Sequence, residues 1–309
     1  MVTIFAIPKP FVGHIGIIQR NALNSWVRLL PACEVIIFGD EPGSAEVARD
    51  LGIRHEPELR RNEFGTPLLN SVFARAQQIA KHDLLCYVNS DILLLPCFSE
   101  AVTRVLAWSP QFLMVGQRRD VPVTLSIDFQ QHDWVKKLRE FAMSTGKQQL
   151  PRAVDYFVFP RNLYRDVPPL AIGRGYWDHW LVWKARSLRV PVVDAGTDVL
   201  AIHQNHDHSH NPKGFIGLTT GIEGKRNRAL AGGQWHLHTI EHATHRLVHG
   251  EIEDNPGRWH VPLTFFIRTY GTQFWYGVLK RTFELRRAVG LRRASVSAIH
   301  ERVRSLLDG

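Results

Sequence analysis

The fold is decided by the stretch Leu84-Leu85-Cys86-Tyr87-Val88-Asn89-Ser90-Asp91-Ile92-Leu93-Leu94-Leu95. A polar triplet, 89–91, interrupts the most apolar run of the chain. A continuously apolar strand is typical of a parallel sheet that helices cover on both faces. Ligands of such sheets bind at the carboxyl ends of the strands. The triplet is therefore the first candidate functional segment.

Apolar strands and helical segments alternate on both sides of this stretch. Further strands are predicted at 2–7, 34–38, 53–55, 112–116, 154–159 and 190–193, and helices at 15–30, 42–51, 66–81, 98–108 and 177–188. The stretch 118–152 is predicted to be an irregular polar excursion, and 203–234 to be loops. We therefore predict an α/β domain with a mostly parallel sheet over residues 1–230, followed by a basic helical extension over 231–309.

The bulk composition is that of a soluble globular protein. The chain has 309 residues, of which 44% are hydrophobic and 22% are charged. No apolar run approaches the ~20 residues that span a bilayer, and the first residues lack the pattern of a signal peptide. A cytoplasmic location is the expectation. Cys33, Cys86 and Cys97 do not have the spacing of a zinc or redox motif.

The net charge of +9 is unevenly placed. Between Val261 and Gly309, nine Lys and Arg residues stand against three acidic residues. Such a tail suits peripheral contact with an anionic membrane surface. The more common alternative is an amphipathic helix that packs on the domain and exposes its charges to solvent. No nucleic-acid partner is expected.

Asp91 is the only ionisable residue of the triplet. A carboxylate in an apolar run is costly unless it is paired or bound to a metal. A bend in which Asp91 bonds to nearby backbone is the alternative. The position of the triplet, about 90 residues into the chain and after three β-α steps, favours a functional role.

On these residues the sequence resembles the GT-A glycosyltransferases, whose hallmark is a DxD triplet after an apolar strand at about this depth. The resemblance covers about residues 2–210. It implies that Asn89 contacts the ribose of a nucleotide beside Ser90, and that Asp91 holds a divalent cation against the sugar diphosphate. Asn89 departs from the acid of the motif, so Asp91 needs another metal ligand elsewhere in the chain.

The resemblance also implies further nucleotide contacts. Ile7 and Pro8 follow the first strand, where the family places backbone around the nucleobase. Asp40 follows the second strand, where the family uses an acid to read the base or the ribose; a turn residue is the alternative. Asn62 lies in the loop 60–66, which matches a family segment that runs along the nucleotide. A basic loop that caps a helix explains the same residues.

A second candidate segment is 173–180. In inverting members of the family an acid at a helix start deprotonates the acceptor hydroxyl, and Asp178 is the matching residue. The neighbouring Trp177 and His179, with Asp155 on the preceding strand, are candidate contacts for the sugar or the acceptor. The alternative is that Asp178 is favoured by the helix dipole and that the tryptophans belong to the core.

The tract 203–210 contains four histidines and one aspartate. Several metal-dependent members of the family use a late histidine as a metal ligand, and His203 is the best match, with His206 or His208 as rivals. A carboxylate with an imidazole suits Mn²⁺ better than Mg²⁺. Lys213 is placed to neutralise the diphosphate.

The implied activity is transfer of a sugar from a UDP-, GDP- or dTDP-sugar to a hydroxyl of a saccharide or a lipid-linked acceptor, assisted by Mn²⁺ or Mg²⁺. Three alternatives remain open. They are a sugar-phosphate nucleotidyltransferase, a metal-dependent hydrolase centred on the histidine tract, and a nucleotide-sugar-binding relative without activity.

Overall fold

The structure, a computed structural model, describes residues 1–206 and 214–255. Its N-terminal part alternates strands and helices as the sequence predicts. The elements are β1 (Thr3–Ala6), α1 (Gly13–Trp26), β2 (Glu34–Phe38), α2 (Ser44–Leu51), β3 (Arg54–Glu56), α3 (Leu69–Ile79) and β4 (Leu84–Val88).

The remaining part is less regular and adds both long and very short elements. They are β5 (Ile92–Leu93), α4 (Pro96–Trp108), β6 (Leu113–Val121), α5 (Trp134–Thr145), β7 (Lys147–Gln148), β8 (Val154–Pro160), α6 (Trp177–Ser187), β9 (Val192–Asp194), β10 (Ala201–Gln204), α7 (Gly214–Thr220), α8 (Ile222–Leu230), β11 (His245–Val248) and β12 (Glu251–Asp254). Short 3₁₀ turns occupy Gln234–His236 and Ile240–His242.

The main sheet has the strand order β12-β11-β9-β6-β8-β4-β1-β2-β3. The neighbours among β1, β2, β3 and β4 run parallel. β8 runs antiparallel to both β4 and β6, so the sheet is mixed. The predicted α/β class, a sheet flanked by helices, is confirmed.

The strand order reverses at β1. From β1 the chain first adds β2 and β3 on one side and then returns to add β4 on the other. The crevice at the carboxyl ends of two such strands is the usual ligand site of an open α/β sheet. Ile7 follows the end of β1, and Asn89 follows the end of β4. The fold therefore places the triplet at this crevice.

Both faces of β4 are buried, which explains its apolar sequence. Leu84, Cys86 and Val88 pack into a hydrophobic cluster on one face. Leu85 and Tyr87 pack into another cluster on the opposite face. The period of two along the strand supplies side chains to both clusters.

Two stretches differ from the sequence predictions. β6 is predicted to end at residue 116 but continues to Val121, and α5 and β7 follow within the stretch predicted to be irregular. The sequence did not predict this continuation because residues 117–120 are polar and only partly buried. The stretch 214–230, predicted to be loops, forms α7 and α8.

Contacts along the chain place Met1–Arg258 in one compact unit. Within the predicted extension 231–309, β11 and β12 are strands that join the main sheet. The prediction of helices and membrane contact for residues beyond 255 falls outside the described part of the chain, and the two-domain division stays a prediction. Within the described residues no helix is both long and apolar enough to cross a bilayer.

Gly116 sits at an irregularity in the pairing of β6 with β8. A Cβ at this position would overlap the hydroxyl of Tyr156 and lie 2.8 Å from its Cζ. The Tyr156 hydroxyl is buried and has no hydrogen-bond partner among the described residues. The sheet therefore requires glycine at position 116 because of the tyrosine ring opposite.

Gly116→Ala is expected to lower the free energy of unfolding by about 1–3 kcal/mol, the cost of overpacking a well-filled core. Tyr156→Phe should be neutral or stabilising, since it removes a buried hydroxyl without a bond. When the two substitutions are combined, the alanine should cost less than it does alone. Urea denaturation of the wild type, the two single variants and the double variant measures this coupling, and strictly additive effects would contradict the clash.

His238 and His242 stack with their ring centroids 4.1 Å apart. Burial, together with neighbouring positive groups that include Arg186, lowers the pKa of His238 to about 3. Burial likewise lowers the pKa of His242 to about 4. The backbone N–H of Thr239 donates to its Nδ1 at 3.1 Å. Both rings are therefore neutral in the folded protein at neutral pH.

The unfolded chain takes up protons at these histidines near pH 6.5, whereas the folded chain does so only near pH 4 and below. Stability should be full above about pH 6.5 and fall as the pH drops toward 4, by up to about 1.4 kcal/mol per pH unit for each ring. Denaturation midpoints between about pH 7 and pH 4.5 measure the slope. His242→Asn, which keeps an acceptor for Thr239, should flatten it; an unchanged slope would contradict the assignment.

Candidate metal centre

Three side chains from two distant parts of the chain form a cluster, the triad: Asp91, His203 and His206. Their candidate ligand atoms all lie within 4.8 Å of one another. Oδ2 of Asp91 is 3.1 Å from Nε2 of His206 and 3.7 Å from Nε2 of His203. Ligands that bind one ion at about 2.0–2.2 Å are about 3–4 Å from each other. The triad therefore has the spacing of a divalent-metal site.

Backbone pairing brings the triad together. His203 lies on β10, opposite Ile92 of β5 on one side and Asp120 of β6 on the other. The N–H of Gln204 also donates to the carbonyl oxygen of Asp91, at 3.2 Å. His203 is thus fixed beside Asp91 by strand register, and His206 follows two residues after the end of β10.

The carboxylate of Asp91 is suited to a cation. Its Oδ1 is buried and has no hydrogen-bond partner among the described residues. Burial acts to raise the pKa of Asp91, but His203, His206 and the positive Lys9 outweigh it and hold the pKa well below its usual range. An ionised, buried carboxylate oxygen without a partner is costly, and a bound metal removes that cost.

A partly buried ionic network lies next to the triad. Asn89 Nδ2 donates to Oδ1 of Asp155 at 2.6 Å, and Arg118 Nη1 donates to Oδ2 of Asp155 at 3.1 Å. Arg118 Nε also donates to Oδ1 of Asp120 at 2.9 Å. Burial raises the pKa of Asp155, although Arg118 opposes it. Asp155, predicted as a sugar contact, is 5% exposed and has both carboxylate oxygens paired within the protein.

Gln19 ties the end of β1 to the triplet. Its Oε1 accepts from the Lys9 backbone N–H at 2.6 Å and from the Ser90 hydroxyl at 2.9 Å, and its Nε2 donates to the Lys9 carbonyl at 2.8 Å. Ile7 and Pro8 immediately precede this point. The nucleotide-binding candidates of both strands therefore lie at one edge of the sheet.

Asp40 and Asn62 lie farther along the same edge. Asp40 is 76% exposed and 3.4 Å from Arg61. Asn62 Oδ1 accepts from the N–H groups of Phe64 and Thr66, and its Nδ2 donates to Glu223 at 2.7 Å. The side chain of Asn62 thus holds a turn, whereas Asp40 remains open to solvent.

The segment at the start of α6 divides between core and surface. Trp177 is 5% exposed and packs edge-on against Tyr87, with ring centroids 5.3 Å apart, so its ring is not open for stacking on a sugar. Asp178 is 23% exposed and lies 3.9 Å from His179. Burial raises the pKa of Tyr87, and the carboxylates of Asp91, Asp155 and Asp178 raise it further. Asp178 is therefore near enough to Tyr87 to affect its hydroxyl, as Asp91 and Asp155 also do.

Sequence reasoning did not find Asp120, Arg118 or Gln19 as site residues. Asp120 and Arg118 alternate along the polar end of β6, and that alternation is the one signal that points to them. Gln19 gives no signal, because a glutamine in a helix is ordinary. Lys213 and His208 lie outside the described residues.

No protein-family model matches the sequence, and no curated protein matches it significantly. Among solved structures the chain is similar to glucosyl-3-phosphoglycerate synthase from Mycobacterium tuberculosis in complex with Mn²⁺, UDP-glucose and phosphoglyceric acid. The identity is 13%, the TM-score is 0.47, and the match covers 76% of this chain and 80% of that one. TarS 1-349 from S. aureus matches at 10% identity and a TM-score of 0.39, over 66% of this chain and 58% of that one. At TM-scores below 0.5 this similarity assigns no role to any residue here.

Asp91→Ala and Asp91→Asn are expected to weaken Mn²⁺ binding by more than about 100-fold, beyond the loss typical of residues that only support a ligand. Calorimetric titration with Mn²⁺ measures the change. Asp178→Asn is the matched control, because it removes a carboxylate of the same region that does not belong to the triad. A folded Asp91→Ala protein with the affinity of the wild type would contradict a metal site here.

Proposed function

We propose that this chain is a divalent-metal-dependent glycosyltransferase that moves a sugar from a nucleoside-diphosphate sugar to an acceptor hydroxyl. The observation that carries the proposal is the convergence of Asp91 with His203 and His206, at the strand ends where the sheet order reverses. A polar crevice at that place suits a nucleotide, and a cation beside it suits a diphosphate.

Asp91, His203 and His206 would hold the cation, with Mn²⁺ favoured by the mixture of carboxylate and imidazole. The chemistry that a bound divalent cation supplies is stabilisation of the negative charge on a departing diphosphate. Lys9 lies close enough to influence Asp91 and is exposed. Its ammonium group is suited to share that charge.

The donor nucleotide would lie along the ends of β1, β2 and β4. Asn89 donates its Nδ2 hydrogen to Asp155, which leaves its Oδ1 to accept from a ribose hydroxyl. This satisfies the role of the first motif position without a second carboxylate. Asp40, exposed beyond the end of β2, is suited to accept from the ribose or the base.

Asp178 is the candidate group for the acceptor side. It stands in the first turn of α6, and its carboxylate influences the same Tyr87 hydroxyl as that of Asp91. A partly exposed carboxylate at that place is able to accept a proton from an acceptor hydroxyl if the reaction inverts configuration. If configuration is retained, the same carboxylate would orient the acceptor.

A metal-dependent hydrolase is the second candidate. Two imidazoles and one carboxylate also form the ligand set of hydrolytic zinc sites, in which the fourth position holds water. The two candidates differ in their need for an acceptor. A hydrolase releases sugar and nucleoside diphosphate from the donor alone at full rate, with Zn²⁺ preferred over Mn²⁺.

The test is a calorimetric screen of UDP, GDP and dTDP, with and without Mn²⁺. We expect one of these nucleotides to bind in the presence of Mn²⁺ and to bind at least about 10-fold more weakly without it. A cation held by Asp91, His203 and His206 would supply positive charge that offsets the charge of the diphosphate. The corresponding nucleotide sugar is then supplied with saccharide and lipid-linked acceptors, and release of nucleoside diphosphate is measured.

Asp91→Ala should lose the Mn²⁺-dependent part of nucleotide binding, whereas Asp178→Asn should bind the nucleotide normally and lose transfer. Absence of binding by all three nucleotides in Mn²⁺ would contradict the proposal. Full transfer by a folded Asp91→Ala protein would contradict it as well.

A further inference from the structure

We propose that Asp120 is a positioning residue for His203: it accepts the Nδ1 hydrogen of the imidazole and thereby presents Nε2 to the cation. The inference rests on the metal site of the proposed function but concerns a different residue. Asp120 is not a member of the triad, and it reaches the metal site only through His203.

The two nitrogens of His203 face two different carboxylates. Nε2 lies 3.7 Å from Oδ2 of Asp91, while Nδ1 lies 3.1 Å from Oδ1 of Asp120. The ring is 6% exposed. The Nδ1–Oδ1 contact has the length of a hydrogen bond but not its alignment, and Nδ1 has no other partner among the described residues.

Asp120 is itself held on two sides. Arg118 Nε donates to Oδ1 at 2.9 Å, and Gln149 Nε2 donates to Oδ2 at 2.7 Å. The parallel pairing of β6 with β10 sets Asp120 directly opposite His203. The carboxylate is therefore placed by strand register and by two side-chain bonds, before any ligand binds.

An ionised carboxylate accepts hydrogen bonds and donates none. The nitrogen of a neutral imidazole that faces it must carry the hydrogen, and the lone pair is then on the other nitrogen. His203 has a carboxylate on each side, but only Asp120, at 3.1 Å from Nδ1, is within hydrogen-bond distance, whereas Asp91 is 3.7 Å from Nε2. The nearer Asp120 therefore selects the Nδ1–H form and leaves the lone pair on Nε2. Carboxylates that orient metal-binding histidines in this way tune both ring position and ligand basicity.

The experiment reads the tautomer directly. The full chain is labelled with ¹⁵N-histidine, the His203 signals are assigned by their loss in His203→Gln, and two-bond ¹H–¹⁵N spectra are recorded without metal at about pH 8, where an ordinary imidazole is neutral. We expect His203 to carry its hydrogen on Nδ1. A ring with its hydrogen on Nε2 would overturn the proposal.

Variants then separate positioning from general stability. Asp120→Ala should move His203 toward the Nε2–H form and raise the Kd for Mn²⁺ by about 10–100-fold. Asp120→Asn keeps an oxygen acceptor beside Nδ1 and should restore most of the affinity. Gln149→Ala, the matched control, removes the bond on the far side of Asp120 and should leave the tautomer unchanged.

The outcomes are distinguishable. Wild-type Mn²⁺ affinity in a folded Asp120→Ala protein would overturn the proposal, as would equal losses in Asp120→Ala and Gln149→Ala. If Asp120→Ala does not fold, the wild-type tautomer and the Asp120→Asn affinity decide the question. A wild-type chain that binds no Mn²⁺ would contradict the proposed function, and the tautomer would still decide the role of Asp120.

Discussion

The site depends on one constraint, the pairing of β10 with both β5 and β6. Asp91 and His206 are 115 residues apart in the chain, and Nε2 of His206 is nevertheless 3.1 Å from Oδ2 of Asp91. Without this pairing, each ligand would have to be ordered separately by the cation, at a cost in conformational entropy. The pairing of β10 with β5 and β6 already places His203 beside Asp91 when the protein folds.

Much of the fold follows from the sequence because local and global signals agree in its N-terminal part. β1, β2 and β4 are apolar runs that end at prolines or at polar residues, and the structure contains each of them. The direction of β8 cannot be predicted from the sequence, because an antiparallel strand that is buried on both faces has the same apolar pattern as a parallel one. The late part of β6 escapes prediction because its polar residues face an ionic network instead of the core.

The candidate site is predictable in part for the same reason. Asp91 and the late histidines are identified as candidate ligands from the sequence, because a charged group next to an apolar strand is costly unless it is paired or bound to a metal. Asp120 is not identified from the sequence, because a carboxylate in a polar stretch is ordinary. Its role depends on the register of β6 with β10, which sets it opposite His203. Trp177 is predicted to contact the sugar or the acceptor but packs against Tyr87 in the core. The sequence does not separate the two, because tryptophan occurs both in hydrophobic cores and at binding surfaces.

The triad also has a consequence for the chain as a whole. A cation that binds only the folded form adds to its stability in proportion to RT ln(1 + [M]/Kd), so a free-metal concentration of about 100 times the Kd contributes about 2.7 kcal/mol. Asp91 and His206 are 115 residues apart in the chain. A cation bound to both would therefore also stabilise the pairing of β10 with β5. The concentration of free metal would then influence the fraction of the chain that is folded, in addition to any effect on activity.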